Sequence, residues 1–274
     1  MIYKILKKPF FGKFMVKWRN PLTEEEQNEW KRFSVESKSG GIIQGMLAKT
    51  TLTECKGTIV LGHPMGKEAK GYFLKRDYTQ LLRANGFNAV VFDMNGFGES
   101  THGNFSYFED IVAVSEKTKE LTPNVPIGYH GISLGAMYGT VAIADNNHKF
   151  DFGIIESSST TLAEFWSQFP FAYSVLKTIS IVMPKYEKKI EFKSCVKEVK
   201  RLQSILYIYS EGDDWVPVEM GKTLLENTNV PAEFWLAKEA AHAEIMKSSD
   251  KLKYQERILK YFNQEVSKLT SYQK

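Results

Sequence analysis

From about residue 30 onward, short apolar runs alternate with longer segments of mixed polarity, the rhythm of strands and helices in succession. Phe33–Glu36 and Ile42–Leu47 flank Ser39-Gly40-Gly41 and predict a hairpin, because glycine supplies the backbone freedom of a tight turn. Thr58–Gly62, Asn88–Asp93, Val125–His130, Phe152–Glu156 and Ile205–Ser210 run nearly without polar alternation, as strands covered on both faces do. Glu233–Leu236 is the last predicted strand. Helices are predicted over residues 69–85, ended by Gly86, then over 106–121, 134–145 and 218–227, with 243–268 closing the chain. Alternation of this kind predicts an α/β fold, a mostly parallel central sheet of about eight strands with helices on both faces.

One stretch invites a different reading. Leu121–Ala144 contains no charged residue and is long enough to suggest a membrane span. Pro123, Pro126, Gly128, Gly131, Gly135 and Gly139 break it into pieces, so it predicts a buried strand, a turn and a buried helix.

Composition narrows the class. A chain of 274 residues with 43% hydrophobic and 25% charged positions can bury a substantial core and is not disordered. Cys55 and Cys195 are too few for a disulfide framework and lack metal-ligand spacing, so a reduced, cytoplasmic setting without metal or cofactor is expected.

The formal charge of +4 is unevenly placed. Residues 1–20 hold Lys4, Lys7, Lys8, Lys13, Lys17 and Arg19 and no acid, which leaves 30 basic against 32 acidic residues elsewhere. A slightly acidic body lacks the basic stripe of a nucleic-acid binder, and no such partner is expected. The apolar run Phe14-Met15-Val16 is shorter than the roughly 7–15 residues of a secretory signal. Two readings of this leader stand: Phe10, Phe11, Phe14 and Trp18 pack on the domain, or residues 1–20 make a peripheral contact with a membrane surface. A clean helical stripe is not evident in it. The chain thus divides into a basic aromatic extension, 1–29, and one domain, 30–268.

The candidate chemistry lies in that domain. Gly131-Ile132-Ser133-Leu134-Gly135 is a G-x-S-x-G pattern set between a predicted strand and a predicted helix. A sharp strand-to-helix turn holds such a serine in a strained backbone with its hydroxyl exposed, and the helix N-terminus favours negative charge there. A serine hydroxyl needs a base. Of His63, His102, His130, His148 and His242, the last two follow Ser133, and only His242 sits in a loop after a strand that could return it to the sheet edge. Ser210-Glu211-Gly212-Asp213-Asp214 follows the penultimate strand, where Asp213 suits an acid that orients the imidazole. Asp214 is the near rival and Glu156 the distant one.

With these residues in view, the chain resembles an α/β-hydrolase-fold serine hydrolase (esterase, lipase or thioesterase-like) from about residue 30 to 265. Asp93-Met94-Asn95-Gly96-Phe97-Gly98-Glu99-Ser100 is similar to the family's D-x-R-G-x-G-x-S turn, with Asn95 in place of Arg, and Asp213 to Pro217 to its D-x-x-V-P loop. The resemblance implies a triad of Ser133, Asp213 and His242. It also implies an oxyanion hole from the N–H groups of Leu134 and Met65, with His63 ordering its loop. The long segment between the strands at 152–156 and 205–210 looks like an inserted helical lid, about residues 160–203. Its Phe165, Trp166 and Phe169 are expected to line an acyl pocket, with Phe171, Tyr173 and Met183 nearby. Its Lys185, Lys188, Lys189, Lys193, Lys197, Lys200 and Arg201 are expected to form a solvated basic face.

The expected reaction is cleavage of a small-molecule carboxylic ester with an apolar acyl group through an acyl-enzyme, without metal. A thioester or a peptide would use the same triad, and a ligand-binding or membrane-associated scaffold without turnover is the alternative from another class. Because the triad lies outside the leader, removal of residues 1–20 is expected to change location or stability more than turnover of a small soluble ester.

Overall fold

The computed structural model describes residues 2–167, 169–182 and 191–271. Met183, Lys185, Lys188 and Lys189 lie outside the described residues.

Eight strands form one sheet: β1 (Trp30–Glu36), β2 (Ile42–Ala48), β3 (Gly57–Gly62), β4 (Phe87–Phe92), β5 (Ile127–Ile132), β6 (Phe152–Glu156), β7 (Ile205–Ser210) and β8 (Ala232–Ala237). Their order across the sheet is β1-β2-β4-β3-β5-β6-β7-β8. β1 and β2 form the predicted antiparallel hairpin, β2 runs antiparallel to β4, and the remaining neighbours are parallel. Every residue of β3 to β7 is buried, which is why those runs lack polar alternation, whereas β1 and β8 at the edges mix buried and open positions. The order reverses beside β3, so the loops leaving β3 and β5 part to opposite sides and open a crevice at the carboxyl edge.

Two predicted helices differ from expectation. Residues 69–85 form two helices, Gly71–Lys75 and Tyr78–Ala84, because Asp77 adopts a left-handed backbone (φ 60°) that interrupts the hydrogen-bond ladder. The break lets Tyr72, Phe73, Tyr78 and Leu82 all reach the core on that face of the sheet. Gly86 ends the second helix with φ 95°, as its lack of a Cβ allows. At the other end of the chain, the closing helix spans Lys251–Ser271 and not 243–268. Ala243 is left-handed (φ 57°) and a short 3-10 turn covers Ile245–Lys247, so the residues after His242 are loop. The uncharged stretch 121–144 resolves into β5 and a buried helix, Leu134–Ala144. Among the described residues, no helix is long and apolar enough to cross a membrane.

Between β6 and β7 the described residues form the helices Leu162–Trp166, Pro170–Val182 and Phe192–Cys195. Lys193, Lys197, Lys200 and Arg201 carry their charges at its surface.

The leader is helical over Ile2–Phe11, here called α1, despite its irregular polarity. Its aromatics pack on the domain: Phe11 meets Phe97, Tyr107 and Trp166 at centroid distances of 5.8, 5.6 and 5.7 Å, and Trp18 lies under the Lys70 ammonium at 4.1 Å. Lys7 is fully buried and donates to the side-chain oxygen Oδ1 of Asn95, while Asn95 Nδ2 donates to Asp110 at 2.7 Å. At the position where the resembled family carries Arg, Asn95 thus meets an amine supplied by the leader.

Burial lowers the Lys7 pKa to about 7, although the Asp110 carboxylate opposes the shift. Above about pH 7 and up to the ordinary lysine range, the unfolded chain binds a proton that the folded chain lacks, so stability should rise with pH there. Below that window both states are protonated and the fold bears the whole cost of the buried ammonium. Lys7→Met should remove this dependence, worth at most about 1.4 kcal/mol per pH unit. Urea unfolding of both proteins at about pH 7 and about pH 9 checks it; parallel changes in the two would refute it.

Candidate active site

Ser133 stands between β5 and the helix Leu134–Ala144 with φ 53° and ψ −112°, a conformation that non-glycine residues seldom adopt. Its backbone is held there by the surroundings: the Ser133 N–H donates to the Glu156 carbonyl at 2.9 Å, and the Gly135 N–H to that of His63 at 3.1 Å. The flanking glycines permit the turn. A Cβ on Gly135 would lie 2.0 Å from the Gly62 carbonyl oxygen, and one on Gly131 would lie 2.6 Å from that of Gly135. Small residues at both sites therefore let β3, β5 and the helix approach, and the serine takes the strain.

The loop after β8 brings His242 to this serine. Its Nε2 lies 2.7 Å from Ser133 Oγ, and its Nδ1 lies 2.8 Å from Asp213 Oδ2. A carboxylate only accepts, so Nδ1 carries the hydrogen of the neutral ring and Nε2 is left to accept from the serine hydroxyl. The other Asp213 oxygen accepts from the N–H groups of Trp215 and Val216 at 2.9 and 3.0 Å, which fixes the carboxylate at the end of β7. The Asp213 side chain is wholly buried.

The rivals are placed elsewhere. Asp214 lines the cleft mouth. Glu156 accepts from Tyr254 at 2.5 Å and pairs with His130 at 2.9 Å, inside the core behind the serine. His148 stacks on Phe150 and accepts from that residue's N–H; burial and Arg201 lower its pKa to about 4, so it is neutral. His63 is buried, with its pKa lowered by desolvation; Nδ1 faces the Pro64 carbonyl at 2.9 Å and Nε2 accepts from the Met94 N–H at 3.1 Å. It ties the loop after β3 to the turn after β4, the loop-ordering role expected of it.

Ser133 and His242 open into a cleft of about 490 Å3. Met65, Phe165 and Trp215 form its apolar wall together with Phe14 of the leader. Charged groups stand at another part of the lining, where Arg76 pairs with Glu68 and lies 3.9 Å from Glu244. Of the three aromatics expected to line a pocket, Phe165 does so. Trp166 and Phe169 do not border the cleft: Trp166 is buried against Phe10 and Phe11, and Phe169 packs on Trp166 and Trp215. They support the wall from behind, because α1 covers the side toward which Trp166 faces. The separation expected between leader and site is also incomplete, since removing residues 1–20 would take Phe14 out of that wall.

Three contributors have no distinguishing mark in the sequence. Trp215 stacks on the His242 ring at 5.9 Å with 20° between planes. Tyr72 donates its hydroxyl to the Ala243 carbonyl at 2.5 Å, and Ser210 donates to that of Ala240 at 2.7 Å; these two bonds pin both ends of the His242 loop. Each residue reads in isolation as core or turn. Leu134 begins its helix, so its N–H has no partner within the helix, and Met65, in the loop after β3, lines the cleft. Among the described residues, no cluster of histidine, cysteine and carboxylate side chains could hold a metal.

Comparisons with known proteins bear on the family and the fold. The family model for serine aminopeptidase, S33, matches residues 53–242. An esterase from Pyrococcus furiosus superposes with a TM-score of 0.72 at 16% identity, over 91% of this chain and 98% of its own. The acylaminoacyl peptidase of Pyrococcus horikoshii gives 0.66 at 18% identity, over 86% of this chain and 42% of the peptidase. An esterase domain from Rhodothermus marinus gives 0.60 at 15% identity, over 86% of this chain and 99% of its own. At these identities the likeness concerns the fold. No curated protein matches the sequence. The match to more than half of the chain places it: the protein belongs to the serine aminopeptidase S33 family and has the α/β-hydrolase fold.

Proposed function

We propose that the protein is a serine hydrolase that cleaves a carboxylic ester of an apolar acid through an acyl-enzyme. The observation that carries this reading is the unbroken line Asp213–His242–Ser133, with contacts of 2.8 and 2.7 Å. In the proposed reaction, His242 Nε2 takes the Ser133 proton as Oγ attacks the ester carbonyl. Negative charge grows on the carbonyl oxygen, and the N–H groups of Leu134 and Met65 are assigned to receive it. Pro64 has no N–H and is not a candidate donor. The tetrahedral species collapses, His242 protonates the departing alcohol, and the acyl group stays on Ser133. A water molecule, deprotonated by His242, then attacks the acyl-enzyme and releases the acid. Asp213 keeps the imidazole oriented and favours its cationic form during both steps.

The apolar wall of Phe14, Met65, Phe165 and Trp215 favours an acyl ester over a peptide. Thioesters need no different machinery, and a panel of p-nitrophenyl esters and acyl thioesters of graded chain length tests the assignment. Turnover should rise with acyl length while methylenes still enter the cleft, by about fourfold per buried methylene in kcat/KM. In Phe165→Ala and Trp215→Ala that gradient should flatten; Phe165→Ala should lose little on the acetyl ester, whereas Trp215→Ala, which also removes the ring stacked on His242, should lose activity on every ester. A gradient unchanged in both variants would show that the acyl chain lies elsewhere. Absence of hydrolysis across the panel would reject the ester reading.

A further inference from the structure

Helix α1 (Ile2–Phe11) is inside out. A surface helix ordinarily buries an apolar stripe and shows its charges to water. In α1, Lys7 is fully buried beside Phe11; its ammonium is bonded to Asn95 and stands 4.3 Å from the centre of the Tyr107 ring. The opposite side carries Ile2, Ile5 and Leu6, at i, i+3 and i+4, with 65%, 63% and 48% of their surface exposed. Lys4 and Lys8 are also exposed, and residues 1–20 contain no acid. Nothing in the helix's own packing needs three large aliphatic side chains in water, and contiguous exposed apolar surface marks a contact.

We propose that this face of α1 lies flat on an anionic lipid bilayer, with Ile2, Ile5 and Leu6 in the headgroup–acyl boundary and Lys4 and Lys8 against the headgroups. Charge decides between a lipid surface and a second copy of the chain. Two leaders face to face would oppose like charges, whereas an anionic bilayer complements the exposed Lys4 and Lys8 beside the aliphatic face. Phe10 and Phe11, packed on Phe97, Tyr107 and Trp166, keep the helix seated on the domain while its aliphatic side faces outward. Phe14 of the same leader lines the cleft, so docking brings the cleft beside the bilayer. The value of that position for ester hydrolysis rests on the function proposed above; the docking itself does not.

The test is flotation of the full chain with vesicles of phosphatidylcholine containing about 30% phosphatidylserine, and with phosphatidylcholine alone. The protein should float with the anionic vesicles and weaken as salt rises from about 0.1 to about 0.5 M. The double variant Ile5→Asp, Leu6→Asp should bind them at least about tenfold less, with an unchanged melting temperature and unchanged hydrolysis of a soluble acetyl ester. Failure of the unmodified protein to float, or equal flotation of the variant, would overturn the proposal. So would a dimer in sedimentation equilibrium that the double variant dissolves, since the face would then belong to a second copy. Flotation by a protein that hydrolyses no ester would uphold the docking and defeat only the proposed reaction.

Discussion

Ser133→Ala should lower kcat by about a millionfold, the loss seen when a serine nucleophile is removed while binding groups remain. The expected size follows from the geometry. Ser133 Oγ is the atom within 2.7 Å of His242 Nε2, and the chain holds it there against backbone strain at φ 53°. Alanine keeps the Cβ and relieves none of the packing, so the fold should persist and the melting temperature change little. A fluorophosphonate probe gives an independent reading, because it forms its bond with the activated oxygen itself. The unmodified protein should label and the variant should not. Equal labelling of the two would mean that another nucleophile reacts, and no labelling of either would return the protein to the class of non-catalytic binders.

Asp213→Ala should cost about ten-thousandfold in kcat, and Asp214→Ala less than about tenfold. Asp213 accepts from His242 with one oxygen and from two backbone N–H groups with the other. Without it the imidazole loses the partner that selects its tautomer and stabilises its cation. Asp214 lines the cleft, while the two nitrogens of the His242 ring meet Asp213 and Ser133, so loss of Asp214 should show mainly in KM. Kinetics of the two single variants on one soluble ester decide the matter. A larger loss at Asp214 would reverse the assignment of the acid.

Much of the fold is legible in the amino-acid sequence. The five central strands declare themselves by continuous apolar runs, because each is covered on both faces and no position needs to be polar. Gly86 marks a helix end for a local reason, since only glycine takes φ 95° without cost. The two helices whose bounds differ from expectation show the limit. Asp77 and Ala243 carry side chains, and their left-handed conformations follow from what surrounds them and not from residue type. A periodicity argument runs through such positions unbroken.

Within the site, Ser133 is legible because a glycine on either side is a steric requirement of the turn, written in adjacent residues. His242 follows from its place after the last strand. Asp213 and Asp214 sit in the same turn with the same chemistry, and only the direction of one carboxylate toward the ring separates them. Tyr72, Trp215 and Phe14 join the site from three separate parts of the chain, and their patterns mark them only as core or surface aromatics.

By itself, then, the sequence determined the order of the elements, the strand-to-helix turn and the kinds of groups at the sheet's carboxyl edge. These depend on periodicity and backbone sterics within a few residues. Tertiary structure alone decided which carboxylate meets His242, which aromatics wall the cleft, and that a basic leader buries Lys7 while turning Ile2, Ile5 and Leu6 outward. Those outcomes depend on contacts between residues far apart in the chain, such as Lys7 with Asn95 and Ser133 with His242, and no local pattern encodes which distant partner closes a contact.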